Sequence, residues 1–164
     1  MSSLPSRLLP APADNRFQGQ RAALWLLGLL IALKLVMSIN SILNTESVAA
    51  GADGIPLASY GAAAARQVLT LFALTALGQL ALTLVAVTAL VRYRSLVPFI
   101  YLLLLGEHVG RRMIVQSFAL PGASASPIAW PLNSGIAALL ALGLLLALLP
   151  AREASPPRAS KGLK

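Results

Sequence analysis

The chain has 164 residues, 57% hydrophobic and 11% charged, with no cysteine and a net charge of +8. Soluble domains average about 25% charged residues, so a water-solvated globule is excluded and a helix bundle solvated by lipid is expected. Without cysteine there are no disulfides, thiolate metal sites, thiol redox chemistry or S-acylation. Nucleic acid is not an expected partner, because no basic stretch is interleaved with aromatics.

Residues 1–20 carry Pro5, Pro10 and Pro12 without hydrophobic periodicity, and predict a disordered cytoplasmic arm. Four apolar segments follow, at about 22–43, 67–91, 95–118 and 132–149, each close to the ~20 residues that a membrane-crossing helix needs. Ser47-Val48-Ala49 has the small residues of a signal-peptide cleavage site. It lies too far from the chain start for a usual 7–15-residue signal core, so segment one is read as a retained span. The link at about 44–66 carries an Asp53-Gly54 turn signal, and Pro56 is placed to begin the next helix. Ser59 to Arg66 is helix-permissive, so segment two is expected to begin outside the membrane. Segment three has an uninterrupted apolar run from Leu96 to Gly106, and then Glu107, His108, Arg111 and Arg112. The tail 150–164, with Pro150, Pro156, Pro157 and four basic residues, is expected to be disordered.

Charge sets the expected orientation. With four spans, Arg7, Arg16, Arg21, Arg92, Arg94, Arg152, Arg158, Lys161 and Lys164 fall on one side, which is then cytoplasmic. The predicted class is therefore an all-α polytopic membrane protein. Its four transmembrane helices form an up-down bundle, with both ends inside and the plasma (inner) membrane as its location. If segment three failed to span, segment four would export the basic tail.

Ionisable residues at membrane depth are costly, and by default they mark a site. At about 1.5 Å per helical residue, Lys34 lies roughly 20 Å in from Arg21 and Glu107 roughly 18 Å in from Ser95. Gln79 falls near the same layer. Lys34, Ser38, Ser41 and Thr45 make one polar stripe on segment one. Glu107 and Arg111 stand four apart with the acid first, the favourable order for a helical pair. The candidate intramembrane network is thus Lys34, Ser38, Ser41, Gln79, Glu107, His108 and Arg111. Arg112 is the candidate contact for an anion or a lipid headgroup. Gly106 and Gly110 have the spacing for close helix approach. Trp25, Tyr93, Tyr101 and Trp130 read as interfacial anchors.

No catalytic residue, metal site or cofactor is expected. Glu107-His108-x-x-Arg111 lacks the second histidine of a His-Glu-x-x-His zinc site, and one histidine without cysteine supplies too few ligands. The expected function is that of a structural or accessory membrane protein with a buried polar network between segments one and three. The alternative is a small oligomeric proton- or anion-coupled carrier or channel using Glu107 and Arg111. A membrane enzyme or quinone-binding subunit using Glu107 and His108 is a third reading. The expected partners are the lipid bilayer, anionic lipid, and a second copy or a larger membrane complex.

Overall fold

The computed structural model describes residues 8–10, 12–118 and 129–150. The basic tail and most of the second link lie outside the described residues. From residue 21 onward the described residues form five α-helices in order: α1 (Arg21–Leu43), α2 (Thr45–Gly51), α3 (Ala62–Arg92), α4 (Val97–Ser117) and α5 (Ala129–Leu148). Among the described residues the non-helical pairing is one isolated antiparallel bridge, Gly19 to Pro150.

Three helices are long and apolar enough to cross a membrane: α1, α3 and, over Trp130–Leu148, α5, with mean hydropathies of 2.3, 2.1 and 2.0. Each is rich in leucine and alanine, which lose little side-chain freedom in a helix. α4 has 21 residues and so comparable length, but Glu107, Arg111 and Arg112 lie within it, and it does not reach the same apolar standard. It starts with Pro98 in its first turn, where a missing N–H costs no helical bond.

The first link is more structured than its composition predicts. Asn44 leaves helical geometry at φ −119°, its backbone N–H and its side-chain amide both reaching Asn40, and α2 then resumes for two turns. The Asp-Gly signal is a true turn, with Gly54 at φ 68°. Pro56 does not begin α3. It opens a 3-10 turn at Leu57–Ser59, and the chain passes through extended Tyr60 and Gly61 before α3 starts at Ala62.

α1 packs along α3 and α5, and α4 packs along α5 with a lighter contact to α3. The core joins Ala23, Leu27, Leu30 and Ile31 of α1 to Ala86 and Ala89 of α3, Val97, Ile100, Tyr101 and Leu104 of α4, and Ile136, Leu140 and Ala147 of α5. Tyr101 is a correction to the sequence reading. It is fully buried, its hydroxyl donates to the Ala23 carbonyl at 2.7 Å, and its ring fills the space that a side chain at Gly143 would need. Trp25 and Trp130, by contrast, are 83% and 66% exposed, as lipid-facing anchors would be. The glycine expectation also shifts. Nothing comes within 4 Å of a Cβ built at Gly106 or Gly110, so the close approach falls at Gly143 instead.

The N-terminal segment departs from the disordered arm expected over 1–20, as far as residues 12–20 are concerned. The Ser95 hydroxyl takes the Asp14 N–H at 2.9 Å and lies 2.8 Å from the Asp14 carbonyl, to which the Ser95 N–H also donates. The Gln20 N–H donates to the Leu146 carbonyl, and buried Gly19 sits against the Ala147 backbone. These contacts are backbone bonds to residues distant in sequence, so composition gives no sign of them.

Candidate functional site

The layer estimated by counting residues is a contact in space. The Lys34 ammonium of α1 donates to Glu107 Oε2 of α4 at 3.1 Å. The Gln79 amide of α3 donates to Glu107 Oε1 at 3.2 Å. Arg111 Nε, one turn along α4, lies 3.6 Å from the same Oε1. One carboxylate thus gathers donors from three helices. Each position follows from local register. Lys34 lies on the buried stripe of α1 with Leu27, Leu30, Ile31 and Ser38, and Glu107 and Arg111 share a face because residues four apart do.

Burial grades outward through the group. The Lys34 side chain is 7% exposed, Glu107 22% and Arg111 35%. A lysine this enclosed is stabilised chiefly by its partner, since removing one member of a buried pair strands the other charge.

The remaining predicted residues separate. His108 is buried on α4, but its Nε2–H donates to the Asn133 carbonyl of α5 at 3.0 Å. A carbonyl only accepts, so this bond fixes the proton on Nε2 and makes His108 a cross-link between α4 and α5 rather than a member of the Glu107 cluster. Ser38 is 1% exposed, and its hydroxyl has no partner among the described residues. Ser41 is half-buried, and its carbonyl accepts the Thr45 hydroxyl. Arg112 is half-buried and pairs with no acid among the described residues. Asn40 and Asn44, at the same depth, are exposed and bond to each other.

Outside the helices, Asp53 completes the sequence of charges. The chain around it desolvates its carboxyl and raises its pKa, while the nearby Arg111 charge opposes that rise. Lys34, Glu107, Arg111 and Asp53 therefore alternate in sign from the middle of the bundle to the first link.

No group of three or more metal-ligating side chains occurs among the described residues. A cavity of about 200 Å³, walled by Asp14, Phe17, Ser95, Pro98 and Ala147, lies at the other end of the bundle and shares none of the cluster residues. Sequence reasoning missed Tyr101, although its three- and seven-residue spacing to Leu104 and His108 placed it on the inward face. It also missed Asp14 and Ser95, for which the local sequence holds no signal.

No family model, curated protein or solved structure matches this chain. The functional reading therefore rests on the geometry.

Proposed function

We propose that this is a structural or accessory protein of a bacterial-type inner membrane, with α1, α3, α4 and α5 as four up-down spans and both ends cytoplasmic. The observation that carries the reading is the occupancy of Glu107: one carboxylate engaged by Lys34, Gln79 and Arg111 from three helices. A carboxylate held by two cations and an amide is a good fastener. It offsets the unfavourable insertion of α4, whose ionised residues each cost roughly 2.5–3.5 kcal/mol at mid-membrane when unpaired.

The orientation is supported by contacts that join the segment before α1 to the link between α3 and α4 and to the end of α5. Asp14 touches Ser95 beside Arg92 and Arg94, and Gln20 touches Leu146 just before the basic tail. All then lie on the side that the distribution of arginine and lysine makes cytoplasmic.

The test is a double-mutant cycle in detergent. Lys34→Met and Glu107→Gln should each lower folded yield and melting temperature, and the double variant should recover part of the loss. Strictly additive losses would reject the fastener. The half-buried flank of Glu107 and Arg111, less enclosed than Lys34, favours a second reading, a small oligomeric proton- or anion-coupled carrier. That reading requires a Glu107→Gln protein that stays folded yet loses solute-driven proton movement in proteoliposomes.

A further inference from the structure

The basic end of the bundle gathers like charges. The docked N-terminal segment sets Asp14 on Ser95 and Gln20 on the Leu146 carbonyl. Arg94 directly precedes Ser95, and Arg92 ends α3. Arg16 follows Asp14 by two residues, and Arg21 opens α1. All four arginines are exposed, the Arg16 side chain by 91%. Asp14 is the one acid at this end among the described residues, and it is already turned to Arg16. Its carboxylate accepts the Arg16 N–H at 3.0 Å and lies 4.0 Å from the guanidinium. An exposed pair at that distance contributes little. Arg21, Arg92 and Arg94 pair with no acid among the described residues. The sequence after Pro150 adds Arg152, Arg158, Lys161 and Lys164 against Glu153. Docking the segment therefore carries Arg16 toward Arg92 and Arg94, a repulsion that the few bonds of the clasp must overcome.

Depth indicates what answers this charge. Arg21, Trp25 and Leu29 stand four apart on one outward stripe of α1, and Trp25 is 83% exposed. Tyr93 is 36% exposed between Arg92 and Arg94. Rings of this kind settle at the level of lipid headgroups. The Arg94 Nε–H donates to the Leu90 carbonyl one turn back along α3, which draws its guanidinium toward the same level. The arginines thus stand at the plane of lipid phosphates, rather than out in the water where an acidic protein would meet them.

We propose that Arg16, Arg21, Arg92 and Arg94 form a docking surface for the phosphate groups of anionic phospholipids, and that these headgroups hold the N-terminal segment closed on the bundle. A guanidinium donates a pair of N–H groups to one phosphate, and anions set between the arginines turn mutual repulsion into attraction. This needs only that α1, α3 and α5 span a bilayer, as their length and hydropathy allow. The Lys34–Glu107 cycle can therefore fail while the lipid surface holds, and the reverse.

The experiment uses the full chain, which has no cysteine, with nitroxide labels at Ala13→Cys and Leu149→Cys, both exposed positions. The protein is placed in nanodiscs of phosphatidylcholine, with or without phosphatidylglycerol, at low salt. Pulsed dipolar spectroscopy reads the ratio of the short, docked separation to the long ones. Phosphatidylglycerol should raise that ratio roughly fivefold or more, the factor for one basic residue at an anionic surface. At 1 M salt, where the screening length falls to about 3 Å, the difference between the lipids should vanish. Arg92→Gln combined with Arg94→Gln should close the segment in phosphatidylcholine alone and shrink its response to phosphatidylglycerol. Arginines with a merely structural role would instead let the segment open in both lipids. Equal ratios in the two lipids at low salt, a difference that persists at 1 M salt, or an opened segment in the double variant would each overturn the proposal. A segment closed by polyglutamate but not by phosphatidylglycerol would overturn it in favour of an acidic protein. Should the double variant fail to fold, the salt series decides.

Discussion

Glu107 and Lys34 are not equivalent ends of one bond. Lys34→Met leaves Glu107 with Arg111 and Gln79, whereas Glu107→Gln leaves two cations facing each other. Loss of the acid should therefore destabilise the fold more than loss of the lysine, by a margin on the order of 1 kcal/mol or more in thermal melts. Asp53 gives a pH prediction of defined sign. Its folded pKa is raised, chiefly by desolvation. The fold therefore favours the protonated acid, and that stabilisation is complete below the unfolded value of about 3.9. It is lost as pH rises through the higher folded value. Asp53→Asn should remove this fall in stability as pH rises from about 3.9 through the folded value, and an unchanged fall would show that another group sets it. At this scale the Lys34, Gln79 and Glu107 layer was legible because helical rise is rigid enough to count. The unpaired Ser38 hydroxyl was not, since spacing places a side chain on a face without saying what it bonds.

The helices of the bundle were legible as elements to within a few residues, because long apolar runs leave little choice in lipid. Their neighbours were not. α4 lies against α5 through Tyr101 and Gly143, and nothing in either segment alone encodes that meeting. Gly143→Ala should force the Tyr101 ring away from the Ala23 carbonyl and destabilise by about 1–3 kcal/mol. In a Tyr101→Ala background the same change should cost far less, and an equal cost there would dissociate the two residues. Gly106→Ala and Gly110→Ala meet open space and should stabilise α4 by up to about 1 kcal/mol each. A loss of stability or of a defined assembly at those two positions would instead mean that another surface occupies that face. The short α2 escaped the sequence reading because two turns of small and polar residues look like any link.

For the whole molecule, the proposed topology makes a labelling pattern. In intact cells an impermeant thiol reagent should reach Asp53→Cys and Ser124→Cys but not Arg94→Cys or Ser160→Cys. Reaction at Ser160→Cys from outside would reject four spans. The clasp at the basic end has a further consequence, in time rather than in space. Residues 14–20 are made before every helix of the bundle, yet Gln20 and Gly19 find their contacts on Leu146, Ala147 and Pro150, at the end of the last one. Asp14 can meet Ser95 once the link between α3 and α4 is made, but Gly19 and Gln20 complete the clasp only once α5 has taken its place beside α1. It acts as a receipt for completed assembly. A nascent or truncated chain lacking α5 should be cut by protease near Phe17, while the finished protein should resist.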